Sequence, residues 1–362
     1  MISRMFLAWR VIGKTFGRWI APLFVGAYLL TLWCVNTVGL ALDGLFFPAL
    51  GRTTVRAPIV IVGNPRTGTT FLQRFLTDNN IGDGIQVWRM IFSSLTVQTL
   101  IKPFLPILLK LDPTRFHSSA AHKTSLLHVE TDDVLFLPRF FDGFFLYGFF
   151  LSFAEQEYKD LFDPDKRDTT ERDFNWLEAI WRRSLVYAGH PDGRVVAKLF
   201  SVSARLPRFL QRFPDAKVLF MARDPLSIIP SGMSLITGVL DNMFGFWSLP
   251  EDVRARFLGR LYRGFVELMQ RFEADMAAGK LPPERVFVVR YDRMMGDFDG
   301  LMTDMLAFLD HTPDDALRAV IHARSEKQKS FTSGHSYDLE KFGLTEAQIR
   351  QDLAGFYARF ID

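Results

Sequence analysis

The stretch Pro58 to Leu76, PIVIVGNPRTGTTFLQRFL, decides the architecture. Its first part, Pro58 to Gly63, is a short β-branched apolar run of the kind that forms a strand buried in a parallel sheet. The loop Gly63 to Thr70 (GNPRTGTT) follows, and Phe71 to Leu76 opens a helix. Strand, glycine-containing loop and helix N-terminus in that order aim free backbone N–H groups and the positive end of the helix dipole at one point, which suits a phosphate. Gly63 and Gly68 stand in the two glycine places of a phosphate loop and Thr70 in the final hydroxyl place. A nucleoside triphosphatase needs Lys directly after the second glycine to reach the outer phosphates; here that residue is Thr69, and a cation stands instead inside the loop at Arg66.

Outward from this loop, strand-like runs recur at Val195 to Ala197, Val218 to Met221 and Val286 to Val289, alternating with helical stretches such as Ser203 to Arg212 and Arg254 to Met276. The alternation predicts an α/β fold, a P-loop-type parallel sheet flanked by helices on both faces. Arg223-Asp224-Pro225 breaks the third run at its C-terminal edge, where ligands of open α/β sheets gather. Arg223 offers a planar fork to phosphate oxygens, and Ser231 a hydroxyl from the helix that follows.

Hydrophobic residues make up 48% of the 362 positions and Phe alone accounts for 36, which places some apolar surface against lipid. From Trp19 to Leu42 no side chain is charged, and the run is long enough to cross a hydrocarbon core as a helix. Arg4, Arg10, Lys14 and Arg18 before it favour a cytoplasmic N-terminus if it spans, while Arg52 and Arg56 after it offset that bias. A single span would put the rest of the chain outside; a shallow or re-entrant helical hairpin would not. Two further apolar stretches, Ile101 to Leu111 and Phe140 to Phe150, read as pocket lining, lipid contact or core. The single cysteine, Cys34, and the lack of any Asn-x-Ser/Thr acceptor favour a catalytic domain facing the cytoplasm. A net charge of +3 gives no case for nucleic-acid binding, and no metal-spaced Cys/His set is present, so no metal is expected.

Pro58 to Leu76 resembles the 5′-phosphosulfate loop of the sulfotransferases that use 3′-phosphoadenosine 5′-phosphosulfate (PAPS), in the broad branch that holds many bacterial members. Phe213 to Ser231 (FPDAKVLFMARDPLSIIPS) is similar to the family's 3′-phosphate motif, with Arg223 and, eight residues on, Ser231 as its ligands. Ser336 to Leu344 (SYDLEKFGL) resembles a further signature of that branch. The likeness runs from about residue 55 to 360. It divides the chain into a membrane-associated segment, 1–54, and a sulfotransferase domain, 55–362.

The resemblance implies PAPS as donor, with Arg66, Thr67, Gly68, Thr69 and Thr70 on the 5′-phosphosulfate, Arg66 reaching the bridging oxygen or the sulfuryl group. It implies Arg223 and Ser231 on the 3′-phosphate, with Lys329, from a basic cluster with Arg324 and Lys327 in an expected loop, closing over it. Lys198 matches a family lysine after a central strand and is expected to touch donor or acceptor. In-line transfer needs a base for the acceptor proton. In the related branch a His stands eight residues before a Glu in a polar segment, here His122 and Glu130. Imidazole titrates near neutral pH, so His122 is the expected base, with Glu130 as its orienter or alternative. Family members that use a Glu just after a Trp differ from this chain, which has Trp88-Arg89. The anchor and the apolar stretches point to a hydroxyl acceptor on a lipid, sterol or lipid-linked glycan. Two other readings stand beside this one: a P-loop kinase or nucleotide hydrolase, which Thr69 opposes, and a non-catalytic membrane-bound nucleotide-binding protein.

Overall fold

The computed structural model describes residues 1–110, 125–158, 160, 163–329 and 338–362. Its sheet has four parallel strands, β1 (Ile59–Gly63), β2 (Val196–Lys198), β3 (Lys217–Ala222) and β4 (Val286–Arg290), in the order β2-β1-β3-β4. All four fall where the β-branched runs predicted them. The residues of β1 are all buried, and their side chains alternate between two faces as the pleat requires. Val60 and Val62 join Val218, Phe220, Leu177 and Trp181 in one apolar layer, while Ile59 and Ile61 join Leu219, Met221, Leu72, Phe75 and Phe298 in the other. Burying each such side chain stabilises the fold by roughly 1.5–3 kcal/mol. A sheet with both faces covered follows directly.

The chain leaves β1 for β2 on one side, then crosses to β3 on the other, so the connections diverge beyond the C-terminal ends of β1 and β3. That divergence opens the crevice in which α/β sheets bind ligands. Gly63 closes β1 at φ 125°, and a Cβ there would meet the Met221 carbonyl oxygen at 2.9 Å. Only glycine permits both the turn and the approach to β3.

Before the sheet come two helices, α1 (Ile2–Phe16) and α2 (Ala21–Phe46). Gly17, left-handed at φ 67°, ends the first, and Pro22 sits in the first turn of the second. The apolar helix therefore starts later and runs further than the uncharged stretch, taking in Asp43. The pair is a hairpin laid on the domain: Ala8 and Val11 belong to the main core, and Leu32, Asn36, Gly39 and Asp43 line the buried side of α2. The phosphate loop leads into α3 (Thr69–Asp78), followed by α4 (Val87–Ile91) and α5 (Leu95–Ile101).

Two local expectations need correction. The helix read from Ser203 begins as a 3-10 turn, Ser201–Arg205, and becomes α-helical only over Leu206–Arg212, because Pro207 lacks an N–H and fits only a first turn. Arg324 and Lys327, read as loop residues, lie on the helix Asp315–Lys329, whose Leu317, Ile321 and Ser325 recur every four residues on a buried side. Phe140–Phe150 contributes largely to core packing and includes a π-helical turn at Leu146–Phe150, whereas Leu100, Phe104 and Ile107 are exposed.

Candidate functional site

Each of the four strands delivers a side chain or loop to the same carboxyl-end crevice. From β1 comes the loop. Gly68, at φ 94°, is the N-cap of α3, and no side chain caps that helix among the described residues. Its first-turn amides, from Thr69 and Thr70 onward, lack intrahelical partners by geometry, and with the positive end of the dipole they make a place suited to an anion. A Cβ at Gly68 would meet the Met294 methyl at 2.6 Å and the Tyr291 ring at 3.6 Å. Thr67 turns inward, its hydroxyl donating to the Asn64 carbonyl at 2.8 Å. Asn64 in turn donates to the Phe265 carbonyl at 3.0 Å, tying the loop to the helix Glu251–Ala277.

Arg66 has φ 74°, a conformation that costs a non-glycine residue energy and that recurs at ligand sites. Its position links both halves of the motif read from sequence. The Arg66 Nε donates to Ser231 Oγ at 2.9 Å, and the Arg66 carbonyl accepts from Arg223 Nη1 at 2.8 Å. Ser231 is buried on the helix Pro225–Phe244, whose N-cap is Asp224, the residue after Arg223. The turn that sets Arg223 thus also fixes the register that delivers Ser231. Tyr291, at the end of β4, lies under Arg223 with the guanidinium 3.9 Å from the ring centroid. Nothing in the local sequence marks Tyr291; its strand-end position beside two phosphate motifs was the available signal.

The second half of the site is buried and charged. Lys198, closing β2, is 2% exposed; its Nζ donates to Thr70 Oγ1 at 3.0 Å and pairs with Glu130 Oε2 at 3.2 Å. The other Glu130 oxygen pairs with Arg74 of α3 at 2.9 Å. Burial pushes the Lys198 ammonium below its ordinary value, with Glu130 pulling it back. The segment carrying Glu130 is locked to β2, because Thr131 Oγ1 donates to the Lys198 carbonyl and Asp133 accepts from the Phe200 N–H. Of the site residues read from sequence, Arg66, Thr67, Gly68, Thr69, Thr70, Lys198, Arg223, Ser231 and Glu130 all belong to this loop and its contacts. His122 and the side chain of Lys329 lie outside the described residues. Arg324, on the helix that ends at Lys329, stands over the Phe71 ring at 5.2 Å, and Gln328 donates to the Met294 carbonyl at 3.0 Å. Arg89, where some family members carry a carboxylate, is buried against the Tyr187 ring at 4.0 Å and serves packing.

Beside Lys198 lies Asp132, wholly buried, with Oδ2 accepting from Trp181 Nε1 at 3.0 Å and Oδ1 without a partner among the described residues. Burial pushes its carboxyl up to about 8, opposed by the Trp181 bond and assisted by the charge of Asp133. The folded pKa lies above the unfolded one, so Asp132 costs nothing below about pH 4 and destabilises increasingly as pH rises through the folded value. Asp132→Asn, neutral throughout, should match the parent near pH 4 in its urea midpoint and exceed it at pH 9. Equal midpoints at pH 9 would show that the carboxyl is not held neutral.

A parallel sheet, a glycine loop leading into a helix with no side-chain cap among the described residues, Arg223 and Ser231 converging on Arg66 of that loop, and a buried lysine at its rim make an α/β protein with a crevice suited to phosphate. The sequence matches a family model described as the sulfotransferase family over residues 58–315. The chain belongs to the sulfotransferase family and is a sulfotransferase enzyme, and membership implies PAPS as the sulfuryl donor. Its fold is similar to that of sulfotransferase STF1 from Mycobacterium tuberculosis H37Rv, with a TM-score of 0.68 at 20% identity, covering 98% of this chain and 91% of that one. It is also similar to sulfotransferase STF9 from Mycobacterium avium, with a TM-score of 0.68 at 18% identity over 89% of this chain and 81% of the other. A search of curated proteins finds no match to the sequence.

Proposed function

We propose that this enzyme transfers the sulfuryl group of PAPS to a hydroxyl of a lipid-like or membrane-linked acceptor, with the donor lying across the loop Gly63–Thr70. The donor supplies the sulfuryl group and a phosphate leaving group. The α3 amides and Arg66 hold the 5′ side, and Arg223 and Ser231 bind the 3′-phosphate. Tyr291 bears on the nucleoside beside them. As the acceptor oxygen bonds to sulfur, the bond from sulfur to the bridging oxygen breaks and its electron pair stays on the 5′-phosphate. Lys198 neutralises that charge, and the acceptor proton passes to His122, with Glu130 holding Lys198 in place or taking the proton itself.

The observation that carries this reading is the Lys198–Thr70 contact at 3.0 Å. The cation that the loop lacks after Gly68 is delivered from the neighbouring strand, to the hydroxyl at the loop's end. For the acceptor, support comes from an amphipathic cavity of about 180 Å³ whose lining mixes Phe144, Tyr147, Leu151 and Tyr158 with charged side chains of both signs, among them Arg260, Arg271, Asp163 and Glu267. Phe144 lies against Phe200, whose ring centroid is 5.8 Å from the Lys198 ammonium, so the cavity stands one side chain from the reacting end. The apolar outer side of α2 supports a membrane location, with the catalytic domain on the cytoplasmic side.

Calorimetric titration of the detergent-solubilised chain with 3′,5′-adenosine bisphosphate, the product nucleotide, tests the donor. We expect tight binding, ATP much weaker, and a loss of roughly 10²-fold in Arg223→Ala, the size of a charge-assisted bidentate contact of about 2–3 kcal/mol. A preference for ATP with magnesium, or equal affinity in the variant, would overturn the assignment.

A further inference from the structure

Asp43 closes an otherwise uncharged helix and yet is completely buried. It accepts from Ser94 Oγ at 2.7 Å, from the Leu95 and Thr96 N–H groups at 3.2 and 2.8 Å and from Thr96 Oγ1 at 2.9 Å, and it pairs with Arg183 Nε at 2.7 Å. Two turns earlier, Asn36 donates to the Ile91 carbonyl at 2.9 Å and accepts from the Ser93 N–H at 2.8 Å. Between them Gly39 comes so near α5 that a Cβ would lie 2.5 Å from Ser94 Oγ. The C-terminal half of α2 is therefore bolted to the domain by polar contacts. A transmembrane course would either break them or carry Ser94, Thr96 and Arg183 into hydrocarbon, where unsatisfied polar groups and charges are costly.

The opposite side of the same helix is apolar and uncovered. Phe24, Tyr28, Val35, Val38, Leu42 and Leu45 recur at helical spacing along the 26 residues, about 39 Å at 1.5 Å per residue, with Phe24 and Leu45 each 73% exposed. On the segment leading from α5, which packs along α2, Leu100, Phe104 and Ile107 are also exposed. An apolar surface of this extent is uncommon on a protein bounded only by water. The turn end of the hairpin carries the opposite chemistry. Arg10, Lys14 and Arg18 are exposed there beside a Trp9–Trp19 pair at 5.1 Å, the mixture of cations and indoles that settles at headgroup level. The first helix is pinned as well, by Arg4 donating to the Phe140 and Phe141 carbonyls and by Phe16 stacked on Phe244.

We infer that the α1–α2 hairpin is an in-plane anchor: the outer side of α2 lies in the acyl boundary of one leaflet of an anionic bilayer, and both ends of α2 stay on the same side. This deepens the membrane location proposed above and rests on it. The partner is a lipid surface, chosen over a second copy of the chain because the exposed cations at the hairpin turn match anionic headgroups and would repel their own copies.

The test uses the full chain and sealed vesicles of phosphatidylcholine with or without phosphatidylglycerol. Flotation should be strong with the anionic lipid and fall at least tenfold in Phe24→Ser/Tyr28→Ser/Val35→Ser, while bisphosphate binding by the same variant stays at the parent value. In a Cys34→Ser background, Arg18→Cys and Gly51→Cys, exposed positions just before and just after α2, should both react with a membrane-impermeant maleimide added outside the vesicles. Protection of one position until detergent is added would mean a span and overturn the inference. So would undiminished flotation of the triple variant, or a stable dimer in lipid-free buffer that the triple variant dissolves. Flotation as expected with no bisphosphate binding would instead refute the donor assignment and leave the anchor standing.

Discussion

Lys198→Met should lower kcat by about 10²–10³-fold while changing bisphosphate affinity far less, the signature of a group whose contact strengthens as charge develops on the leaving phosphate. Methionine approximates the lysine stem, so the site keeps its volume and loses only the ammonium. Removing one partner of a buried pair ordinarily costs about 3–5 kcal/mol, but here Arg74 remains on the other Glu130 oxygen and shares the burden. Stability and activity can therefore be separated. Lys198→Met/Glu130→Gln should regain much of the stability lost in the single variant and none of the rate. Recovery of rate along with stability would show that Lys198 is a structural ion and that the leaving phosphate is neutralised elsewhere. The same comparison bears on Glu130. If Glu130→Gln alone abolishes turnover at every pH, it is the proton acceptor; a moderate loss with an unchanged pH profile fits a residue that orients Lys198.

Asp43→Ala should cost about 3–5 kcal/mol, because it strands the Arg183 charge and withdraws the acceptor from Ser94, Thr96 and the Leu95 amide at once. In a chain of this size that corresponds to a fall in Tm of about 5 °C, scaled from the usual unfolding entropy per residue. The sign of the pH dependence follows from the same contacts. Burial raises the Asp43 carboxyl, but the Thr96 N–H and the Arg183 guanidinium outweigh it and hold the group below its ordinary value. The stabilisation is therefore complete above the unfolded pKa near 4 and disappears as pH falls through the lower folded value. Urea midpoints of parent and variant should differ most from pH 6 to 8 and converge on acidification. A constant difference down to the lowest pH at which the chain folds would show that Asp43 contributes packing and not charge. Faster proteolysis between α1 and α2 in the variant would report the loosened hairpin directly.

The strands and the loop were readable from the sequence because their determinants are local. A strand buried on both faces must be a continuous β-branched run, and Ile59 to Val62 is one. A chain turning from such a strand into a helix over a phosphate favours glycine where φ is positive, and Gly63 and Gly68 stand at two such places, while the positive φ of Arg66 between them carries no local signal. Arg223 and Ser231 could be paired because one helix joins them. The contacts that assemble the candidate site join residues far apart in the chain. Lys198 meets Thr70 and Glu130, Arg66 meets Ser231, and Arg223 meets Tyr291, each across two elements whose packing no local pattern specifies. For that reason Tyr291 was not read as a site residue, and Lys198 was placed only by resemblance.

The N-terminal segment divides in the same way. Its sequence determined that the uncharged run Trp19 to Leu42 would form a long apolar helix, since composition alone sets the cost of placing it in lipid. What the tertiary structure decided is which side of that helix the protein keeps for itself. Asn36, Gly39 and Asp43 become a docking edge only when α4, α5 and the helix Thr170–Ala188, which carries Arg183, bring donors and a cation to meet them. Hydrophobicity adds along a chain and can be summed from its letters, whereas a hydrogen bond or ion pair needs a partner at a distance and direction that only the folded arrangement supplies.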